Sequence, residues 1–248
     1  MSRWLSCFAM TLCLLCVASL PAEEISRTFS IVGIDPKTGE CGAAVASKYP
    51  AVGRVVPYVR AGVGAFCTQH YHVPKWGEPA LDLLEKGQSP AEVFVELLGK
   101  DDAPEQRQLG MIDMQGRTAV HNPTQADPRS RWWGALTGKD YAAQGNTLAG
   151  EEVVIAMGRA FEKTEGSLSD RLLAALVAGD LAGGDHRGRL AAGIRVAKKD
   201  VKGYYFELYV DKSEDAVIDL WKEYVATTHE AKGDWKGGKA PFVDPRKK

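Results

Sequence analysis

"TFSIVGIDPKTGECGAAVAS", residues 28–47, decides how this chain folds. Its centre, "PKTG", carries the Pro and Gly that suit a tight connection, so the stretch reads as two strands joined in a hairpin. Both runs are apolar at nearly every position rather than at every second one. A strand with that pattern needs cover on both faces of its sheet. The rest of the chain must therefore supply layers on either side.

Working outward, "VVPYV" (55–59) and "GVGAFCTQ" (62–69) read as strands that continue the sheet, and "RQLGMIDMQGRTAVH" (107–121) as a second hairpin around "MQG". "YAAQGN" (141–146) reads as a short strand running into a helix at "AGEEVVIAMGRAFEK" (149–163). "LAAGIRVAK" (190–198) and "GYYFELYV" (203–210) close as strands. Helices are expected at "WGEPALDLLEKG" (76–87), with Leu81 and Leu84 as its face and Gly87 as its stop, and at "SEDAVIDLWKEYVATTH" (213–229). Ser89, Pro90 and Glu92 form a cap, first-turn proline and capping-box partner for a helix at 89–100. Ser167 and Asp170 do the same for 167–179, with Gly179 as its stop. Trp132 and Trp133 read as aromatics in a polar loop covering a core edge. Clustered helices around two-sided apolar strands fit a layered sandwich, helices outside and sheets inside.

The ends differ from the middle. A basic "MSR", an apolar run from Trp4 to Leu20 and the small residues of "SLPA" make residues 1–22 a secretory signal peptide, cut after Ala22 or, alternatively, after Ser19. The other reading is a retained anchor, for which the run is short beside the ~20 residues of a span. The expected location is secreted or periplasmic. Residues 23–228 read as one domain and 229–248 as a polar, solvated tail.

With 31 basic and 32 acidic residues, net charge −1, nothing favours nucleic acid or, once the signal is removed, a membrane surface. Three of the five cysteines fall in the first 22 residues. Cys41 and Cys67 remain, either paired as an exported protein allows or left as buried thiols on neighbouring strands. No metal or other cofactor is implied. His70, His72 and His121 read as ordinary loop histidines, and the usual nucleophile-elbow, zinc-protease, phosphate-loop and dinucleotide motifs are missing from the sequence.

Four stretches carry a resemblance: "TFSIVGIDPKTGECGAAVASKYPAVG" (28–53), "AGVGAFCTQ" (61–69), "YAAQGNTLAGEEVV-AM" (141–157) and "RLLAAL-AGDLAGGDHRGR" (171–189). In order and spacing they resemble the family catalogued as domain of unknown function 1028, which is grouped with the N-terminal-nucleophile hydrolases. The likeness runs from Thr28 to about Tyr224. It implies a four-layered α/β/β/α sandwich, an amide or peptide-like substrate, and no cofactor. The oligomeric state stays open, a homo-oligomer included.

The resemblance also assigns roles. Thr28 would supply a hydroxyl nucleophile and its own α-amine the base, an amine that titrates near ~8. Lys48 would lower that amine's pKa by like-charge repulsion. Backbone N–H groups near Gly145 and the Asn146 amide would stabilise an oxyanion where "QGN" turns from strand to helix. Asp185 and Arg187 would orient the amine or a substrate carboxylate, with Ser47 and Gln69 as substrate contacts. Each residue also has a plain reading: Thr28 as a strand former, Lys48 as a strand-end cap, Asn146 as a helix N-cap, Asp185 and Arg187 as a pair across a turn.

Three departures from the family pattern stand out. Residues precede Thr28, where members typically begin close to Thr-Phe-Ser, so a cut between Arg27 and Thr28 would be required. Leu190-Ala191 replaces a Gln-Ser, and His121-Asn122-Pro123 a His-Thr-Gly. Two functions follow: an exported amidohydrolase, or a noncatalytic cell-envelope (peptidoglycan) binding protein on the same scaffold.

Overall fold

The computed structural model describes residues 25–26, 28–125 and 128–230, with side chains over 28–125 and 128–228. The expected signal peptide and nearly all of the expected tail lie outside the described residues. Among the described residues no helix is long and apolar enough to cross a membrane.

The opening hairpin forms as expected. β2 (Thr28–Asp35) pairs antiparallel with β3 (Glu40–Ser47) in full register, Thr28 opposite Ser47 and Asp35 opposite Glu40. It sits at the middle of a six-stranded antiparallel sheet ordered β11-β10-β3-β2-β9-β8, built with β8 (Trp132–Gly138), β9 (Tyr141–Leu148), β10 (Ala191–Lys198) and β11 (Phe206–Val210). Its central place explains why β3 is buried along its whole length and β2 along all but its last residue.

A second sheet corrects the expectation that residues 55–69 extend the first. β4 (Pro57–Arg60) and β5 (Gly64–Tyr71) pair with each other, and β5 continues to β6 (Arg107–Asp113) and β7 (Thr118–His121). A two-residue strand, β1 (Ile25–Ser26), lies on the same edge of β5 as β4, with Ile25 opposite Tyr71 and Ser26 opposite His70. A one-turn helix, α1 (Val52–Val55), intervenes where the chain leaves β3 for β4 and so changes sheet.

Side chains alternate across a strand, so each strand feeds two cores. From β2, Phe29 and Ile31 join α4 (Glu152–Lys163), α5 (Leu168–Leu181) and α6 (Ala216–Val225) in one apolar cluster. Val32 and Ile34 face the other sheet, meeting Cys41, Ala43, Val45, Ala65, Cys67 and Ile112. On the far side of the second sheet, Phe66, Leu109 and Met111 pack on α2 (Gly77–Glu85) and α3 (Pro90–Leu98). The chain is thus a mixed α/β protein with two facing antiparallel sheets and helices outside each.

Both capping boxes are present, Ser89 with Glu92 and Ser167 with Asp170. Gly87 ends α2 at φ +96°. Gly179 does not end α5. A β-carbon there would stand 2.6 Å from Met157 Cγ, so this glycine lets α5 lie close against α4. The helix stops two residues later, where Gly183 and Gly184 take φ +113° and +47° and the Gly184 N–H donates to Gly179 O at 3.0 Å.

Trp132 and Trp133 belong to β8 rather than a loop, in a strand broken by a register shift before Gly134. Cys41 and Cys67 lie on facing strands of different sheets, both as buried free thiols, not on neighbouring strands.

Candidate functional site

The space between the sheets changes character along its length. At one end it is aliphatic. At the other, the same inward-facing positions become Thr28 and Ser30 on β2, Ser47 on β3, Gln69 on β5, Gln108 on β6, and Gln144 and Asn146 on β9, all fully buried. The period-2 pattern that builds the core therefore also gathers a cluster of hydroxyls and amides. Buried polar groups require partners, and here they largely satisfy one another.

Gln108 is the hub. Its Oε1 accepts from Gln69 Nε2 at 2.8 Å and from Asn146 Nδ2 at 2.9 Å, while its Nε2 donates to Gly145 O at 2.8 Å and Asn122 Oδ1 at 3.0 Å. Two amide donors on one oxygen fix which way the Asn146 side chain points. Its Oδ1 is left to accept from the Thr28 N–H at 3.3 Å. Gln69 also donates to Thr28 O at 3.3 Å and accepts from Ser30 Oγ at 2.6 Å; Ser30 in turn accepts from Gln144 Nε2 at 2.7 Å. Gly110 makes room for this chain, since a β-carbon there would lie 2.1 Å from Gln144 Oε1.

Thr28 is held at both its nitrogen and its hydroxyl. Its nitrogen rests on Asn146, and its Oγ1 donates to Ser47 Oγ at 3.3 Å. Ser47 Oγ also accepts from the Tyr49 N–H at 3.0 Å. Thr28 is fully buried. The chain upstream of it runs to the other sheet, where β1 pairs with β5.

Gly145 and Asn146 do not sit at a strand-to-helix turn. Both lie inside β9, and α4 begins only at Glu152 with Glu151 as its N-cap. Asn146 is therefore no helix cap, and Gly145 offers its carbonyl to Gln108. Lys48 follows Ser47 directly, but its side chain is exposed, with Nζ 3.6 Å from where a β-carbon on Gly188 would stand. It is not lodged in the buried cluster.

Asp185 and Arg187 pair with each other across the glycine turn. Arg187 Nε donates to Asp185 Oδ1 at 2.9 Å and its Nη2 makes a short contact with Asp185 Oδ2. Burial holds the Asp185 carboxyl above the usual aspartate range, and the Arg187 hydrogen bonds oppose that shift. The pair reaches the cluster through Thr147, whose Oγ1 accepts from Arg187 Nη2 at 3.3 Å and donates to Asn146 O at 2.6 Å. Thr147 is fully buried with φ +54°. A β-branched residue in the left-handed region costs about 1–3 kcal/mol, and such strain gathers at functional sites.

Of the expected residues, the fold brings together Thr28, Ser47, Gln69, Gly145 and Asn146, joins Asp185 and Arg187 to them through Thr147, and leaves Lys48 at the surface. Ser30, Gln108, Gln144 and Thr147 join them in the structure beyond the residues expected from sequence. Ser30 and Gln144 stand two residues from Thr28 and Asn146, so strand alternation alone signals that they share a face. Among the described residues no group of three or more His, Cys, Asp or Glu is placed to hold a metal ion.

Facing antiparallel sheets with a buried hydroxyl-amide cluster at one end, centred on the first residue of an interior strand, define the class of this molecule. The chain belongs to the family described as "Family of unknown function (DUF1028)", which matches residues 28–220. It is similar to the crystal structure of protein SPO2555 from Silicibacter pomeroyi, titled as a DUF1028 protein, at 29% identity, 85% coverage of this chain, 93% of that one and a TM-score of 0.74. No curated protein matches it.

Proposed function

We propose that this chain is an exported amidohydrolase of the N-terminal-nucleophile class, built as a four-layered α/β/β/α sandwich, with Thr28 as nucleophile once the Arg27–Thr28 bond is cut. The observation that carries the reading is the double hold on Thr28, nitrogen on Asn146 Oδ1 and Oγ1 on Ser47 Oγ. Helices outside both sheets agree with the sandwich, and the strained Thr147 beside Asn146 agrees with a working site.

The chemistry follows from those two atoms. The freed Thr28 amine, unprotonated near neutral pH, takes the Oγ1 proton as that oxygen attacks the substrate's acyl carbon. Asn146 accepts one amine hydrogen and so leaves the lone pair for this transfer. The carbonyl π pair moves onto oxygen, and the returning pair expels the leaving nitrogen, which takes the proton from the amine. Water, deprotonated by the same amine, then attacks the Thr28 ester, releasing the acid and restoring the hydroxyl.

The test is acylation of Thr28. Protein cut after Arg27 should gain one acyl mass at Thr28 from a small aryl ester, whereas intact protein and Thr28→Ala should not. Equal labelling of Thr28→Ala would sink the assignment.

A noncatalytic cell-envelope binder is the second reading, favoured by the complete burial of Thr28 in the uncut chain. It expects retention on purified cell wall that disappears when residues 229–248 are deleted; absence of retention removes it.

A further inference from the structure

The upstream strand carries more than a blocked amine. β5 presents one edge to two short segments in line. β4 covers the stretch from Gly64 to Cys67, and β1 covers His70 and Tyr71. The β1 slot is two residues long, and a single residue, Arg27, separates it in the chain from Thr28, at the head of the other sheet. The slot therefore ends where the reacting atoms begin.

Chemistry makes this adjacency directional. The nitrogen and Oγ1 of a threonine are on neighbouring carbons, so an acyl group on one lies a five-membered ring away from the other. Whatever precedes Thr28 in the chain is bonded to its nitrogen through an acyl carbon. Residues 25–26 thus mark the path along which an acyl chain reaches Oγ1. They run along it as a strand, held through the main chain to β5.

We propose that the acyl part of the substrate is an extended peptide, which adds to β5 at His70–Tyr71 in the place of Ile25–Ser26 and delivers its C-terminal carbonyl to Thr28. This inference rests on the Thr28 reading for its chemistry and on β1 for its geometry. Strand addition takes affinity from main-chain hydrogen bonds, so the slot selects a peptide backbone over a compact small-molecule amide. Its length limits the paired segment to about two residues, because β4 blocks the edge beyond.

The experiment uses the full chain with residues 24–26 replaced by the recognition sequence of a site-specific protease that cleaves after Arg27. The protein is folded, then cut. The probe is the peptide acetyl-Glu-Glu-Ile-Ser-Arg with a free carboxylate, alongside its counterpart methylated on both the Ile and the Ser nitrogens, one of which faces β5 in an antiparallel pair. Cut protein should bind the first peptide, protect one amide of the His70–Tyr71 pair from hydrogen exchange, and bind the methylated one about tenfold more weakly. Equal binding of both peptides, or no binding, overturns the slot.

A second variant leaves the chain uncut. Ile25→Pro with Ser26→Pro removes both main-chain donors of β1 and should let the intact protein bind the peptide, which the intact parent should not. Binding of the peptide by neither, together with its failure to bind cut protein, again overturns the slot. The aryl-ester label separates the two readings: acylation of Thr28 without peptide binding refutes the slot alone, and peptide binding without acylation refutes the nucleophile alone.

Discussion

Thr28, Asn146 and Gln108 form the shortest chain of cause in this molecule. Gln108 orients Asn146, and Asn146 holds the Thr28 nitrogen. Replacing Gln108 with Leu removes that orientation and takes from the buried Asn146 Nδ2 its Gln108 acceptor. The variant should lose about 1–3 kcal/mol of stability in urea unfolding and slow Thr28 acylation in the cut protein. Thr28→Ser keeps a hydroxyl on the same carbon and should still be acylated, in contrast to Thr28→Ala.

Asp185 gives a pH signature at the same scale. Its folded pKa is raised by burial, so between the ordinary aspartate value and the raised one the native state holds a proton that the unfolded state has released. The stability contributed is full below the ordinary aspartate pKa and is lost as pH rises through the raised one. Asp185→Asn should flatten that fall, read as unfolding midpoints across a pH series. A variant profile parallel to the parent's would assign the slope elsewhere.

At the scale of elements, the capping boxes were legible because a helix start is a local event. Ser89 and Glu92 need only the turn they build, and the structure has both hydrogen bonds. Ser89→Ala should cost about 1 kcal/mol, measured by thermal or urea unfolding. The stop expected at Gly179 fails for the opposite reason. A glycine signals either a helix end or a close approach, and only the position of Met157 on α4 decides between them. Gly110 is the matching case between sheets. Gly110→Ala drives a methyl into the buried Gln144 amide and should cost about 1–3 kcal/mol, more than Ser89→Ala, in the same measurement.

For the whole molecule, the question is how firmly the two sheets stay together. Cys41 and Cys67 report on it, because burial between the sheets pushes both thiols up to about 12. A thiol so held is neither ionised nor reachable at neutral pH. Labelling by a thiol reagent should therefore keep pace with global unfolding in denaturant. Fast labelling of the native protein would show that the sheets part locally.

The sequence by itself determined the hairpin at 28–47, the demand for cover on both of its faces, the helix starts and the family likeness, since each depends on neighbours a few residues apart or on order along the chain. Only the tertiary structure decided that residues 57–71 leave for a second sheet, that Gly145 and Asn146 stay within a strand, and that Lys48 stands at the surface. It alone brought Gln108 onto Asn146 and set Ile25–Ser26 on β5. These depend on which strands pair across long separations, and hydrogen bonds between strands carry no record of their partner in the local pattern. Alternation says which way a side chain faces; packing says what it meets.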